Sequence, residues 1–327
     1  MSSAETIGVD LGGTKMLVGV LSGTESLYEQ REASKGQTED ELVELLVREI
    51  EEAREARPNV AAVGLGIPAT IDHESGVAVS AVNLPLKNLP VRQIVSERTG
   101  LPVFLDNDGN VAALAEYLYG AAQGKPDIVM LTVGTGIGGG LVLRGETYRG
   151  STGAGAELGH IVIQADGPPC QGNCPNHGCV ESLASGTALG REARAAAESS
   201  PDSALGEALA EGKEIDGRVT TEAALAGDQV AIDVFELIGS RLGVACSSLA
   251  NIFQPHAIVV GGGVIAAGDL LLEPARREVR ERALDPMNKT PILEATLGND
   301  AGMIGAAALA RTELANAAGP EPVRDSG

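Results

Sequence analysis

The segment Asp10-Leu-Gly-Gly-Thr-Lys15 brings a carboxylate, two glycines, a hydroxyl and an amine together in one short turn. The glycines let backbone N–H groups approach phosphate oxygens closely, and a carboxylate at a strand end can hold a hydrated Mg²⁺. The spacing matches neither the P-loop nor the dinucleotide fingerprint. A structural glycine hairpin is the alternative if the turn is taken alone. The candidate ligands for phosphate and magnesium are Asp10, Gly12, Gly13, Thr14 and Lys15.

A second glycine-rich turn, Gly134-Thr-Gly-Ile-Gly-Gly-Gly140, also follows an apolar run. Alone, it could be a tight hairpin with a bulge. A third cluster, Gly261-Gly-Gly263, follows another predicted strand and could line an adenosine pocket. Three such features in one chain favour nucleotide binding. The candidates here are Gly134, Thr135, Gly136, Gly261, Gly262 and Gly263.

Asp108 ends the run Val103-Phe-Leu-Asp-Asn-Asp108, just before a predicted helix. An acidic residue in this position often only caps the helix. In a chain with two phosphate turns, however, it is also where phosphoryl transfer needs a general base, to accept the proton of the attacking hydroxyl. We therefore predict that Asp108 is the catalytic base.

Three of the four cysteines, Cys170, Cys174 and Cys179, lie within one short loop. No export signal is recognisable, so metal ligation is favoured over disulfides or free thiols. Three thiolates and one imidazole complete a tetrahedral, structural Zn²⁺ site. His160 and His177 are rival fourth ligands. His160 is favoured because His177 lies inside the loop, where the geometry is cramped.

An alternating pattern of strands and helices must position these residues. Thr38 is predicted to cap a helix, with Glu41 completing a capping box and apolar residues recurring on one face. Cys246 falls in an apolar helical stretch and is predicted to be core. The tail from Asn316 is predicted to be disordered. The other predicted strands are 60–67, 102–105, 256–260 and 292–297, and the other predicted helices are 110–122, 231–253, 270–283 and 301–314.

The strand, turn and strand around Gly12 recur around Gly134, which suggests a duplicated α/β unit with one phosphate turn in each half. We predict a small α/β domain formed by residues 1–108 and 301–327. Residues 109–300 are predicted to form a larger α/β domain that carries the cysteine loop.

The composition restricts the partners. The 45 acidic and 24 basic residues leave a net charge of −21, which repels nucleic acid and anionic lipid. No apolar run is long enough for a membrane span, and residues 1–6 are too short and polar for a signal peptide. We expect a cytoplasmic protein without nucleic-acid or membrane partners. The acidity fits either adaptation to high salt or an ordinary acidic cytosolic protein.

Together, these motifs resemble the sugar-kinase branch of the ROK family (repressor, open reading frame, kinase), and within it the ATP-dependent glucokinases. The resemblance runs from Asp10 to about Leu309. The cysteine loop and the Gly-His before it are the most specific part. The matching elements are the Asp10 turn, Gly66-Ile-Pro68, Asn83, Asn107-Asp108, Gly134 to Gly136, Glu157-x-Gly-His160, the cysteine loop ending in Glu181, and Gly261 to Gly263.

The resemblance implies a fold of the actin–hexokinase type, in which duplicated ribonuclease H-like α/β domains flank a cleft. It implies phosphorylation of glucose to glucose 6-phosphate with Mg²⁺-ATP, and a homodimer or homotetramer. Asp108 would be the base, and His160 would serve both the Zn²⁺ and the sugar. The implied sugar-binding residues are Gly66, Asn83, Asn107, Asp108, Glu157, His160 and Glu181.

The resemblance leaves several alternatives open. The family usually separates the first two cysteines by one residue, whereas Gln171, Gly172 and Asn173 lie between them here, which weakens the assignment of the first ligand. The acceptor could instead be fructose, mannose or an N-acetylhexosamine, and the donor could be polyphosphate. A DNA-binding repressor is disfavoured because nine residues precede Asp10 and the charge is negative. A non-catalytic sugar sensor would not need Asp108 or the Asp10 turn.

Overall fold

A computed structural model describes residues 4–317, which form thirteen strands and ten α-helices. The strands are β1 Thr6–Leu11, β2 Lys15–Ser22, β3 Glu25–Ala33, β4 Val63–Ile67, β5 Ala69–Asp72, β6 Val77–Ala81, β7 Lys87–Leu89, β8 Val103–Asn107, β9 Ile128–Val133, β10 Ile137–Leu143, β11 Glu146–Thr147, β12 Ala257–Gly261 and β13 Ile292–Glu294. The helices are α1 Glu39–Ala56, α2 Val91–Thr99, α3 Asp108–Tyr119, α4 Val180–Ala184, α5 Gly186–Ser199, α6 Ala204–Ala210, α7 Gly217–Leu225, α8 Gln229–Phe253, α9 Asp269–Arg282 and α10 Ala301–Ala317.

The chain packs as two units. The first unit contains residues 4–119, 149–155 and 299–317, and the second contains residues 120–148 and 156–298. Each has a five-stranded sheet, with the order β3-β2-β1-β4-β8 in the first and β11-β10-β9-β12-β13 in the second. In both sheets the second strand is antiparallel to its neighbours, and the last three strands are mutually parallel. The predicted duplicated α/β fold is confirmed.

Helix α10 packs tightly on the sheet of the first unit. A Cβ at Gly8 would clash with the carbonyl oxygen of Met303, and one at Gly64 would clash with that of Ala306. Glycine in β1 and β4 therefore lets a helix rich in alanine approach the strand backbones closely. Ile7, the neighbour of Gly8 in β1, is fully buried in a separate core that includes Leu42 and Leu45 of α1.

Helix α1 follows the sequence prediction closely. The side chain of Thr38 accepts a hydrogen bond from the backbone N–H of Glu41, and the Glu41 carboxylate accepts one from the N–H of Thr38 at 2.8 Å. This reciprocal pair is the predicted capping box. The predicted apolar face is buried along its length, and consists of Leu42, Leu45, Leu46, Ile50 and Ala53.

The second unit has a mainly helical core around α8. Gly239 and Gly243 allow α9 to pack closely on this helix, since a Cβ at Gly243 would lie 2.6 Å from the side chain of Glu278. Cys246 is fully buried in the same helix, as predicted. No helix within residues 4–317, α8 included, is both long enough and apolar enough to cross a bilayer.

Helix α3 begins at Asp108, two residues before the predicted start, and belongs to the first unit. It packs against α10, with Val111 and Leu114 beside Leu309. The small domain was predicted to end at Asp108, whereas the first packing unit continues to Tyr119 and includes all of α3. Asn316 lies in α10 instead of a disordered tail, and the predicted tail from 318 onwards lies outside the described residues.

Candidate functional site

The first unit brings three predicted site segments to one edge of its sheet. Asp10 of β1 is the register partner of Gly66 in β4, which in turn pairs with Asp106 of β8. Asn107 ends β8, and Asp108 begins α3 directly afterwards. The carboxyl ends of parallel strands are where ligands bind in α/β proteins. The parallel pairing therefore collects residues that are far apart in the sequence.

Gly66 makes room for helix α3 at this edge. A Cβ there would lie 2.6 Å from Cγ2 of Val111. A larger residue would push away the first turns of the helix that carries Asp108. This close approach to Val111 indicates a packing role for Gly66. The role is additional to the sugar contact that the resemblance implies.

Asp10 lies against the start of α10, because a Cβ at Gly302 would be 2.6 Å from Cγ of Asp10. Burial, followed by the negative charge of Asp108, raises the pKa of Asp10 to about 6, and Lys15 partly opposes the shift. A desolvated carboxylate with a second carboxylate near it is the kind of donor that a divalent cation stabilises. Asp10 therefore fits the predicted magnesium position.

The turn after Asp10 is held by its own backbone and by Ser34. The N–H of Gly12 donates to the carbonyl of Lys15 at 2.9 Å, and the hydroxyl of Ser34 donates to the carbonyl of Gly12 at 2.6 Å. A Cβ on Gly13 would lie 3.1 Å from Cβ of Asn83, so the predicted sugar ligand Asn83 adjoins the predicted phosphate turn.

Asp108 lies in the first turn of α3, and burial raises the pKa of its carboxyl group. Hydrogen bonds from the N–H of Gly109 and from Asn107 partly oppose this shift. Asn107 also stabilises the start of the helix, because its Oδ1 accepts from the N–H of Gly109 at 2.8 Å and its Nδ2 donates to the carbonyl of Ala69 at 3.3 Å. A carboxylate with a raised pKa suits a general base.

In the second unit, the turn 134–136 connects β9 to β10. The N–H of Gly134 donates to the carbonyl of Gly136 at 2.9 Å, and Thr187 of α5 donates through its hydroxyl to the carbonyl of Thr135 at 2.8 Å. The turn is thus fixed by its own backbone and by the start of α5.

The third glycine cluster adjoins this turn. Gly262 has a φ of 91°, and a Cβ there would lie 2.5 to 2.7 Å from the backbone of Val133, the residue before Gly134. Gly261 lies in β12 opposite Thr132 of β9. The structure therefore places both glycine-rich segments of the second unit together, as nucleotide binding requires.

The cysteine loop forms a compact cluster with His160. One ligand atom from each of His160, Cys170, Cys174 and Cys179 lies within 4.8 Å of all the others. The Sγ atoms of Cys174 and Cys179 are 3.9 Å apart, and Nδ1 of His160 is 3.5 Å from Sγ of Cys170. Tetrahedral zinc with Zn–S bonds of about 2.3 Å separates two sulfurs by about 3.8 Å. The donor set and its spacing fit Zn²⁺, and we refer to these four residues as the metal cluster.

His177 does not join this cluster. Its Nδ1 lies 3.2 Å from the carbonyl oxygen of Gly167, and its side chain is exposed. The longer spacing between Cys170 and Cys174 closes through Gly172, whose φ is 60°. The extra residues therefore do not prevent Cys170 from reaching the other two sulfurs.

Glu157 directly precedes a short 3₁₀ helix, Leu158–His160, and His160 is the last residue of that helix. A Cβ at Gly159 would clash with the carbonyl oxygen of Ile137, so the glycine lets this helix pack on β10. Nε2 of His160 is 4.0 Å from Oε2 of Glu157, while its Nδ1 faces Cys170. One imidazole can thus face the metal cluster and Glu157 at the same time.

Glu181 links the metal cluster to the phosphate turn of the second unit. Its Oε2 accepts a 2.8 Å hydrogen bond from the N–H of Ile137, and its Oε1 is 3.8 Å from Sγ of Cys170. Sequence reasoning missed this second contact, and it also missed Ser34 and Gly302. None of these carries a motif, and only the packing reveals them.

The fold and the motifs agree with known proteins. The model of the ROK family matches residues 6–313. A glucokinase from Streptomyces coelicolor is 36% identical over 314 residues, which cover 94% of this chain and 97% of that protein.

Two solved structures extend the comparison. A ROK family glucokinase from Streptomyces griseus, in complex with glucose and AMPPNP, is 37% identical with a TM-score of 0.82, covering 94% of this chain and 100% of that one. A ROK hexokinase from Thermus thermophilus is 36% identical with a TM-score of 0.78, covering 95% of this chain and 99% of that one. This chain therefore belongs to the ROK family.

Proposed function

We propose that this protein phosphorylates glucose to glucose 6-phosphate with ATP as the donor. The observation that carries the proposal is the similarity, over nearly the whole chain, to a glucokinase that binds glucose and AMPPNP. The retained Asp108 and Asp10 turn support an enzyme, because a non-catalytic sugar sensor needs neither a base nor a magnesium ligand.

Asp108 is the proposed general base. Its carboxylate accepts the proton of the 6-hydroxyl of glucose as that oxygen attacks the γ-phosphorus of ATP. The bond from this phosphorus to the β,γ-bridging oxygen breaks, and ADP leaves. A base of this kind contributes about 10² to 10⁴ in rate. The raised pKa of Asp108 makes its carboxylate more basic than an exposed one, which favours proton acceptance.

Asp10 is the proposed holder of hydrated Mg²⁺, which would neutralise charge on the β- and γ-phosphates of ATP. The N–H groups of two turns, 12–15 and 134–136, supply donors for phosphate oxygens, and Thr14 and Lys15 add side-chain donors. Both of these side chains lie at the turn, and Lys15 is exposed. Gly261, Gly262 and Gly263 line the proposed adenosine site.

The proposed glucose ligands are Asn83, Asn107, Glu157, His160 and Glu181. Carboxylate, amide and imidazole groups can hydrogen-bond sugar hydroxyls. Zn²⁺ bound by His160, Cys170, Cys174 and Cys179 would fix the ring of His160, so that its other nitrogen faces the sugar. The metal is thus proposed to position the sugar ligands without taking part in phosphoryl transfer.

An assay that detects sugar phosphate, run with glucose, fructose, mannose and N-acetylhexosamines, tests the proposal. ATP and polyphosphate are compared as donors with each sugar. We expect the highest kcat/KM with glucose and ATP. A chain that binds glucose but transfers no phosphoryl group from either donor would instead be a sugar sensor.

The family resemblance also supports a homodimer or homotetramer acting in the cytoplasm. Light scattering on the purified protein measures its mass in solution. A monomer at micromolar concentration would contradict the proposed assembly.

A further inference from the structure

Arg149 is the centre of a group of charged side chains in the first unit. Its Nε donates a 2.6 Å hydrogen bond to Oδ2 of Asp106, and its Nη2 is 3.7 Å from Oε1 of Glu313 in α10. The same Oε1 of Glu313 is 3.6 Å from Nε2 of His73. The guanidinium thus connects the end of β8 to α10, and Glu313 in turn contacts His73 in the turn that follows β5.

Asp106 is the most buried member of this group, with 3% of its side chain exposed. Its other oxygen, Oδ1, accepts hydrogen bonds of 2.8 Å from the backbone N–H of Asn107 and from Nδ2 of Asn110. Asp106 therefore holds residues on both sides of Asp108, one before it and one in the first turn of α3. A buried carboxylate of this kind depends on its cationic partner to offset the cost of its burial.

The segment of Arg149 is itself fixed to the first unit. The carbonyl of Arg149 accepts a 2.9 Å hydrogen bond from the N–H of Gly155. A Cβ at Gly153, which has a φ of 82°, would clash with the carbonyl oxygen of Ile71 in β5. This segment leads directly to Glu157, a proposed sugar ligand. The position of Arg149 is therefore set by the fold, independently of any bound substrate.

We propose that Arg149 and Asp106 act as a pair of positioning residues for the general base Asp108. The proposal rests on the proposed function, and neither residue is assigned a contact with glucose or ATP. Arg149 holds the Asp106 carboxylate in place, and that carboxylate holds Asn107 and Asn110, which fixes the backbone at Asp108. A small displacement of a catalytic group has a large effect on rate, because the reacting atoms must be closely aligned.

The test is a double-mutant cycle with Arg149→Gln, Asp106→Asn and the double variant. We expect each single variant to lower kcat by about tenfold to a hundredfold while the Kd for glucose changes much less. The double variant is expected to be no slower than the slower single variant, because both changes remove one interaction. Arg149→Lys keeps the positive charge but loses the Nε donor, so its kcat should lie between those of wild type and Arg149→Gln.

Arg311 provides the matched control, since it is a buried arginine of the same unit that contacts no proposed site residue. It donates to Oγ1 of Thr6 at 2.8 Å and to the carbonyl of Gly23 at 3.0 Å. Arg311→Gln should lower the thermal midpoint as Arg149→Gln does, but leave the kcat of the folded enzyme unchanged. Equal losses of kcat in the two variants would overturn the proposal, since they would reflect general destabilisation.

Chemical rescue separates positioning from folding. Guanidinium ion, added to Arg149→Ala well below denaturing concentrations, should restore part of kcat, and should not do so for Asp106→Asn or for wild type. If Arg149→Ala does not fold, the kcat values of Arg149→Lys and Asp106→Asn are compared with that of wild type instead. An active wild type with an unchanged kcat in Arg149→Gln would overturn this inference alone, whereas a wild type that phosphorylates no sugar would overturn the proposed function.

Discussion

The backbone N–H of Ile137 donates a hydrogen bond to Oε2 of Glu181, two residues after the last cysteine of the metal cluster. Through this contact, the strand that follows the phosphate turn of the second unit depends on the short helix α4. Glu181 is also a proposed sugar ligand. Its carboxylate therefore links three features of one unit, which are the metal cluster, the proposed sugar ligands and the phosphate turn.

Replacing Gly136 by Ala tests this link, because a Cβ there would overlap Oε2 of Glu181. The displaced carboxylate would lose its hydrogen bond to Ile137, so we expect glucose affinity to fall by about tenfold, the equivalent of one hydrogen bond. Calorimetric titration with glucose measures the change. Gly134→Ala is the matched control, since a Cβ there meets nothing within 4 Å. Equal losses in both variants would argue against displacement of Glu181.

Replacing Asp108 by Asn removes the proposed base but keeps a side chain of similar shape. We expect glucose binding to be retained and kcat to fall by at least about a hundredfold, because no carboxylate remains to accept the hydroxyl proton. Steady-state kinetics and an equilibrium glucose titration separate the two effects. Nearly normal turnover would place the base elsewhere in the chain.

Asp10 should make stability depend on pH with a sign opposite to that of most carboxylates. Its pKa in the folded apo protein is about 6, above the ordinary 3.8. The folded state therefore binds this proton more tightly than the unfolded state, and ionised Asp10 lowers the free energy of unfolding above pH 6. Asp10→Asn should raise that free energy at pH 7 by at most about 3 kcal/mol. The gain should shrink as the pH falls from 6 towards 4, where wild-type Asp10 becomes protonated.

Denaturant unfolding at pH 7, 6 and 4.5 measures the effect of Asp10→Asn, and Asp72→Asn is the control. The pKa of Asp72 is lowered by hydrogen bonds from Ser75, so this variant should lose stability at pH 7 and approach wild type as the pH falls. The same Asp10→Asn protein should use Mg²⁺-ATP poorly. A stability gain that is equal at all three pH values would contradict the role of the buried charge.

The metal cluster makes a separate prediction. Cys174→Ala and Cys179→Ala should each lower the zinc content from the expected one ion per chain and weaken glucose binding, because His160 is proposed to bind both the metal and the sugar. Elemental analysis and glucose titration on the same samples measure both quantities. Cys246→Ala is the control, since this cysteine is buried in α8 outside the cluster and should affect only stability. Wild-type protein purified without chelator and found free of zinc would refute the site.

The sequence was most informative where local chemistry determines structure. The capping box at Thr38 and the two glycine turns follow from residue types at short spacing. The duplicated α/β fold followed from the recurrence of one strand, turn and strand pattern around Gly12 and Gly134. The clustering of His160, Cys170, Cys174 and Cys179 was also predictable, because few other roles suit three cysteines in one loop. The choice between His160 and His177 depended on the path of the loop, which the sequence only suggested.

Other features depend on contacts between distant segments. The pairing of Arg149 with Asp106 joins a loop residue to a residue of β8 that is 43 positions earlier in the chain. No sequence motif marks this pair. The start of α3 at Asp108 was misjudged because Asn107, rather than a later residue, stabilises the first turn. The contact of Gly302 with Asp10 requires α10 to return to the first sheet. Such contacts follow from the whole fold and leave little local signal.

The charge of −21 should make stability depend on salt. Repulsion among the carboxylates extends over about 30 Å at 0.01 M salt and over about 3 Å at 1 M. We therefore expect the thermal midpoint of the apo protein to rise with KCl, because screening reduces the self-repulsion of the folded state. The apo protein is the better sample, since salt also weakens the binding of Mg²⁺-ATP.

The range of KCl concentration over which the thermal midpoint rises distinguishes the two explanations of the acidity. A rise that ends within a few hundred millimolar KCl is what screening alone produces, because the Debye length is then already below about 8 Å. A continued rise into the molar range requires the folded surface itself to be adapted to salt. Differential scanning calorimetry from low to molar KCl measures this curve. A midpoint that does not change with KCl would reject the halophilic interpretation and also show that repulsion among the exposed carboxylates contributes little to stability.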